Sequence, residues 1–279
     1  MAEGHVPGEL QGQVALVTGG SRGLGRAIAL ALAANGSAVG VCARSTADLA
    51  QTVRLIEEHG GRAVAITADV AQRRDAERAV AAVEEQMGAL DLLVNNTGVA
   101  GPSGPLGEVD PDAWWDTQVV NVRGPLYCSS AALPGMRARR HGRIINMASG
   151  AGLSPWPMMS SYAVSKATLI CLTENLAVEA AADGVVAFAI RPGIVPTAMV
   201  EAGLASTLPA IGGFFRQARA EGRMVSADRV AHLVVTLASG RADQLSGRFL
   251  SIDCNLDALL AQVDTITAGD LLTLRLRTV

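Results

Sequence analysis

Tyr162 and Lys166 stand four positions apart in the stretch SYAVSKATLI, and their side chains are the first chemistry the chain offers. Lys166 is the only lysine in 279 residues; the other 22 fixed cations are arginine, and Tyr162 is one of two tyrosines. On a helix, residues four apart share a face, so both side chains can reach one site. A free phenol titrates near about 10, too high for proton traffic at neutral pH. A cation at about 5 Å, with an effective dielectric near 20, is worth roughly 3 kcal/mol, or about two pK units. That would bring the phenol toward the range in which it gives and takes a proton efficiently. An ammonium is a compact point charge with three donors that can also grip sugar hydroxyls, whereas a guanidinium is a bulky planar fork. A chain that uses arginine for every other cation keeps its one lysine where that difference matters.

A second constellation is the glycine-rich segment TGGSRGLG, Thr18 to Gly25, between an apolar run and a helical pattern. Its glycines, Gly19, Gly23 and Gly25, permit a tight turn and let backbone N–H groups approach a pyrophosphate, and the following helix adds free donors and a positive dipole end. The spacing is looser than the usual dinucleotide fingerprint, and its strand-before, helix-after context is what gives it meaning. About 20 residues on, a site for NAD places a carboxylate to hold the ribose 2′-hydroxyl. Here that place reads Cys42-Ala43-Arg44-Ser45, with no acid. Arg44 and Arg22 are two planar cations suited to a 2′-phosphate. NADP(H) is therefore the expected cofactor, with NAD(H) as the alternative.

These side chains need a scaffold. Short apolar runs alternate with amphipathic helical patterns: QVALVT, AVGVCA, AVAITA, LDLLVN, RIINMAS and VVAFAI read as strands, with helices between them. Asp110-Pro111 has the chemistry of a helix start, and His59 before Gly60-Gly61 reads as a helix end. Such a rhythm predicts an α/β fold, a Rossmann-type doubly wound parallel sheet with helices on both faces. Without a long linker or repeat, residues 1–279 read as one domain with a core of about 10–253. The rhythm lapses from Val195 to about Ser226, an irregular stretch long enough to suggest a function. TLRLRTV at the end alternates apolar and basic residues, as an edge strand or a subunit contact would.

Composition sets outer limits. Apolar residues make up 49% and charged ones 18%, enough for a large core. A net charge of −3 lacks the basic field of a general nucleic-acid binder. The cluster MRARRHGR, Met136 to Arg143, precedes a strand, opposite the carboxyl ends where open parallel sheets bind ligands, and reads as a solvated face. The start, MAEGHVPGEL, shows no secretory pattern. No run is long enough for a membrane helix. Cys42, Cys128, Cys171 and Cys254, without CxxC pairing, read as reduced core thiols of a cytoplasmic protein. The histidines are scattered, and no metal site is expected.

Taken together, the sequence resembles the short-chain dehydrogenase/reductase family over roughly Leu10 to Asp253. The resemblance rests on TGGSRGLG, Asp69 of ADV, NNTG (Asn95–Gly98), Asn121 of VVNVRG, Ser149 thirteen residues before Tyr162, Tyr162-x-x-x-Lys166 and RPGIVPT (Arg191–Thr197). It implies that Tyr162 is the proton donor to a carbonyl oxygen, or the base in the reverse direction. Ser149 would hydrogen-bond that oxygen. Lys166 would bind the nicotinamide ribose and lower the Tyr162 pKa, and Asn121 would hold a water linking Lys166 to solvent. Gly19, Ser21, Arg22, Gly23, Leu24 and Gly25 would surround the phosphates, and Asp69 and Val70 would edge the adenine. Asn96 and Gly98 would pack beside the cofactor, and Pro192, Gly193, Ile194 and Thr197 would meet the nicotinamide.

Thr97 departs from the small residue usual in that motif, without expected consequence. The Tyr-x-x-x-Lys spacing disfavours reduction of carbon–carbon double bonds. Asp253-Cys254-Asn255 replaces a familiar Asp-Gly-Gly before the tail at 254–279. Membership would also imply a homo-oligomer, dimer or tetramer.

Between Ser149 and Tyr162, residues Trp156, Met158 and Met159 suggest an apolar or aromatic substrate wall, and residues 196–225, with Phe214-Phe215, occupy the place of a substrate lid. The expected reaction is hydride transfer between NADP(H) and an apolar ketone or aldehyde, or the matching secondary alcohol. Two other readings use the same residues: an NAD-linked alcohol dehydrogenase working oxidatively, and a nucleotide-binding regulatory protein without chemistry.

Overall fold

The computed structural model describes residues 8–276. Residues 1–7, the greater part of the segment read for a secretory pattern, and residues 277–279 of TLRLRTV lie outside the described residues.

Seven strands form one parallel sheet in the order β3-β2-β1-β4-β5-β6-β7. They are β1 (Val14–Thr18), β2 (Ala38–Ala43), β3 (Arg62–Thr67), β4 (Leu92–Asn95), β5 (Gly142–Met147), β6 (Val185–Arg191) and β7 (Phe249–Ser251). Every residue of β1, β4 and β5 is buried, as the V/I/L-rich runs require of central strands covered on both faces. Edge strand β3 is largely open.

The helices of the sheet layers are α1 (Gly23–Ala34), α2 (Thr46–Glu58), α3 (Arg73–Met87), α4 (Pro111–Gln118), α5 (Gly124–Arg139) and α6 (Ser160–Ala180). The Ser45 and Asp110 hydroxyl and carboxylate cap α2 and α4 by accepting backbone N–H bonds, and His59 closes α2. Ile28 and Leu32 of α1 and Leu49 and Ile56 of α2 pack on one sheet face. Val80 and Val83 of α3, Cys128 and Met136 of α5, and Leu176 of α6 pack on the other. The chain order winds outward in both directions from β1 and β4, so the crevice beyond their carboxyl ends is the switch point where ligands bind in such sheets.

The stretch expected to be irregular after Val195 is helical: α7 (Ala198–Ala205), a π-turn at Pro209–Gly213, and α8 (Phe214–Ala220). Its base is fixed by a parallel bridge between Ile194 and Met224 and by Val225 N–H donating to the Ile194 carbonyl at 2.9 Å. The chain then forms α9 (Ala227–Ala238), whose Val230 and Val234 join the α1 face, and ends with α10 (Leu256–Leu260) and α11 (Val263–Ala268).

Three surface expectations need correction. Arg143 of MRARRHGR is not solvated: it is 9% exposed and donates twice to Asp243, at 2.8 and 2.6 Å. Its cluster mates Arg137, Arg139 and Arg140 are exposed. Cys171 is not a core thiol but exposed on α6, while Cys42 and Cys128 are buried, and burial pushes both thiols up to about 12. Among the described residues of the tail, 273–276 form no edge strand, and the subunit-contact alternative stays open. The Leu272 carbonyl accepts one bond from Phe249 N–H, Leu274 N–H donates to Glu174 of α6, and Arg275 pairs with Glu174 and Asp270.

Candidate active site

The glycine turn connects β1 to α1 with Gly19 at φ +67°, a left-handed conformation that glycine adopts without strain. A Cβ on Gly25 would lie 2.2 Å from the Gly19 carbonyl oxygen, so the helix can pack this close to the turn only with glycine there. Arg26 staples the same turn, its guanidinium donating to the Ser21 carbonyl at 3.1 Å through Nε and to Thr52 Oγ1 at 3.0 Å. Thr52 Oγ1 in turn donates toward the Gly20 carbonyl at 3.1 Å. Nothing in the spacing distinguished Arg26 from any other helical arginine.

The start of α1 fits a pyrophosphate. Its N-cap, Arg22, forms no side-chain cap, and the first turn carries no acid, so the free N–H donors have no protein competitor. Thr18 Oγ1 accepts from the backbone N–H of Asn96 at 3.0 Å and of Thr97 at 3.1 Å, and Asn96 Nδ2 donates to the Thr18 carbonyl at 2.9 Å. The carboxyl ends of β1 and β4 are thereby tied edge to edge.

A cleft of about 1700 Å³ runs across these ends. It is lined by Gly19, Ser21, Arg22, Gly23, Leu24, Gly25, Arg44, Asp69, Val70, Asn96 and Gly98. Ser149, Trp156, Met159, Tyr162, Lys166, Pro192, Gly193, Ile194 and Thr197 complete the set of expected residues found there. Two do not line it. Met158, held at φ +69° with its carbonyl accepting from Gly104 N–H, packs in the apolar cluster behind the wall. Asn121 is fully buried in the π-turn Val119–Arg123. Its amide donates to the Val99 carbonyl at 2.9 Å and Ser165 Oγ at 3.0 Å, and its Oδ1 accepts from Val99 N–H at 2.8 Å. The Asn121 side chain is thus a clamp on the loop after β4, with both amide donors already used.

Tyr162 and Lys166 share the inward face of α6. The ammonium lies 5.5 Å from the phenol ring centre and donates to the Met147 carbonyl at 2.7 Å. Lys166 is 5% exposed, and burial lowers its pKa from 10.5 to about 8. Burial also raises the Tyr162 phenol above its usual value, and a hydrogen bond with Ser149 pulls it partly back. Lys166 does not itself bond the phenol oxygen; its hydrogen bond goes to the Met147 carbonyl. Among the protein's own groups desolvation is the larger influence on the phenol, and the Ser149 hydrogen bond offsets it.

The far wall is aromatic. Trp156 meets Tyr162 edge-on at 5.9 Å and Phe214 at 5.4 Å, and Phe214 meets Phe215 at 5.2 Å. Met159, Val200 and Ile211 complete this apolar cluster. Asp48, Arg191 and Arg223 also line the cleft, and nothing in their residue types or spacing marks them as site residues.

A parallel sheet with a glycine-lined phosphate cradle at its switch point and a serine, tyrosine and lysine beside it defines a nicotinamide-linked oxidoreductase of the short-chain type. The profile of the family described as short chain dehydrogenase matches residues 13–206, and the chain belongs to that family. It is 40% identical over 190 residues to Short chain dehydrogenase MYCFIDRAFT_6125 of Pseudocercospora fijiensis, covering 67% of this chain and 61% of that protein. It is 36% identical over 273 residues to Short chain dehydrogenase mpl6 of Monascus purpureus, covering 95% and 89%. It is 35% identical over 246 residues to 4-formylbenzenesulfonate dehydrogenase TsaC1/TsaC2 of Comamonas testosteroni, covering 88% and 97%.

Proposed function

We propose that this oxidoreductase interconverts a carbonyl compound and its alcohol with NADP(H), and that Ser149, Tyr162 and Lys166 carry the chemistry. The observation that supports this most is the convergence, in one cleft, of the glycine turn with a hydrogen-bonded Ser149–Tyr162 pair and the buried Lys166 ammonium. When bound, the nicotinamide supplies or accepts the hydride. Tyr162 then gives a proton to the carbonyl oxygen or takes one from the alcohol. Ser149 donates a hydrogen bond to the same oxygen and stabilises the charge that develops on it. Lys166 has three donors, of which one is engaged by Met147, leaving others for a ribose hydroxyl.

Arg22 and Arg44 support NADP(H): both are exposed and line the cleft, and neither guanidinium forms an ion pair or hydrogen bond among the described residues. One observation favours the NAD(H) reading, because Asp48 in the first turn of α2 lines the same end of the cleft and could accept a ribose hydroxyl. The wall of Trp156, Phe214 and Phe215 supports an apolar or aromatic carbonyl substrate. The named substrate of the Comamonas relative is such an aldehyde on an aromatic ring. We further assign the residues from 196 to 225 as the substrate lid of a single catalytic domain, in a homo-oligomer.

A spectrophotometric screen of varied ketones, aldehydes and alcohols with NADPH, NADH and their oxidised forms tests the reading. It predicts nicotinamide turnover with at least one carbonyl–alcohol pair and a preference for the phosphorylated cofactor. Binding of either nucleotide without turnover of any pair would leave only the regulatory alternative.

A further inference from the structure

Charge along the cleft is unevenly placed. Five cations line it, Arg22, Arg44, Lys166, Arg191 and Arg223, against two carboxylates, Asp48 and Asp69. Both carboxylates follow β2 and β3 and belong to the end beside the glycine turn and Arg44. The opposite end, walled by Trp156, Phe214 and Phe215, has Arg191 and Arg223 and no acid among its lining residues. The two arginines are the only charged groups lining that end, although each also pairs with a carboxylate outside the lining, Asp253 for Arg191 and Glu221 for Arg223. A cleft lined by one sign of charge between low-dielectric walls draws in ligands of the opposite sign.

Arg191 is partly occupied, with Asp253 at 3.8 Å. Arg223 is better placed to hold a ligand. It immediately precedes Met224, whose bridge to Ile194 sets it beside the loop of Pro192 to Thr197. Its guanidinium lies 5.6 Å from the centre of the Phe214 ring, and its Nε donates to Glu221 at 2.7 Å. Glu221 is held independently by Gln217 Nε2, also at 2.7 Å. Neither Nη of Arg223 forms a hydrogen bond among the described residues. The pair with Glu221 is half exposed on both sides, a kind of bridge that contributes little to stability by itself. An aromatic platform and a fixed Nε instead leave the outer edge of a planar fork oriented and unsatisfied, the geometry that recognises two oxygens of one anionic group.

We propose that Arg223 anchors a carboxylate or sulfonate on the substrate, separated from the reacting carbonyl by an aromatic or apolar body lying against Trp156 and Phe214. The proposal rests on the carbonyl–alcohol reading above and narrows its substrate class to anionic aryl or alkyl carbonyls. Arg223 then sets specificity without touching the reacting atoms.

The test uses neutral and anionic members of matched pairs, benzaldehyde against 4-formylbenzoate and 4-formylbenzenesulfonate, and a methyl ketone against the keto acid of the same carbon skeleton. With the intact protein, kcat/KM is expected to favour the anionic member at least about tenfold, through KM, with the advantage shrinking as salt is added. Arg223→Met keeps an unbranched side chain over Phe214 and removes the charge; the anionic-to-neutral ratio should fall about tenfold to a hundredfold. Arg223→Lys should retain part of the ratio, which a merely structural role would not produce. A preference for the neutral member, or a ratio unchanged in Arg223→Met, overturns the anchor while carbonyl reduction stands. If no member of any pair is turned over although nucleotide quenches the tryptophan fluorescence, the functional reading itself has failed, and the anchor with it.

Discussion

Lys166 follows Tyr162 by one turn of α6, its ammonium 5.5 Å from the phenol ring centre and bonded to the Met147 carbonyl at 2.7 Å. A Cβ added to Gly98 would come within 3.6 Å of that ammonium, so the space around it is small on the side of the β4 loop as well. A point-like cation with three donors can bond the Met147 carbonyl and still face the cleft.

That burial has a thermodynamic consequence. The folded protein binds the Lys166 proton less tightly than the unfolded chain, with a pKa of about 8 against 10.5. The burden is therefore fully present below about pH 8 and is relieved as pH rises toward 10.5, where the unfolded chain too has lost its proton. Its upper bound is on the order of 3 kcal/mol, reduced by the lost bond to Met147 when the amine is removed. Lys166→Met should match or exceed the wild type in denaturation midpoint at pH 7, and that difference should decline between about pH 8 and 10. Comparing the two proteins at each pH cancels the opposing effect of Cys42 and Cys128, whose raised thiol pKa values cost stability in alkali. A difference that did not vary with pH would show that the amine is not desolvated.

Cofactor choice turns on the arginines. On the proposed NADP(H) reading, replacing both Arg22 and Arg44 with alanine should weaken NADPH binding about tenfold to a hundredfold while changing NADH binding less than about threefold, because the two charge-assisted contacts it assigns serve only the 2′-phosphate. Fluorescence titration with each nucleotide measures it. If both affinities fell equally, the arginines would be holding the pyrophosphate, and the Asp48 reading for NAD(H) would gain.

The glycine turn has little tolerance. Gly25→Ala places a methyl 2.2 Å from the Gly19 carbonyl and 2.6 Å from Asn96 Nδ2. Backbone cannot yield as a flexible side chain would, so a loss of about 1–3 kcal/mol in stability is expected, with loss of nucleotide binding. Gly213→Ala, where an added Cβ meets nothing within 4 Å, is the control and should be close to neutral in denaturant.

Where local chemistry and tertiary demand agree, the sequence was readable. The six apolar runs became β1 to β6, and TGGSRGLG and Tyr162-x-x-x-Lys166 came together in the cleft because strand, turn and helix each follow from local pattern. β7, only Phe249–Ser251, was too short to signal itself. The segment after Val195 looked irregular because its glycines hide what tertiary packing settles. A Cβ on Gly203 would sit 2.5 Å from the Phe215 ring, so that glycine serves helix contact, not a loop. Met158 packs into the apolar cluster with a positive φ, a backbone feature that a methionine does not announce. Arg223 passed unnoticed for a similar reason, since only folding sets it over Phe214.

Tyr162→Phe, followed by single-turnover absorbance of the nicotinamide together with nucleotide titration, probes the proton-transfer role most directly. The phenyl ring can keep its edge contact with Trp156, so nucleotide affinity should stay within about threefold, while turnover of any carbonyl substrate falls by about 10³ or more. Turnover persisting at the wild-type rate would contradict the assignment of Tyr162 as proton donor and acceptor.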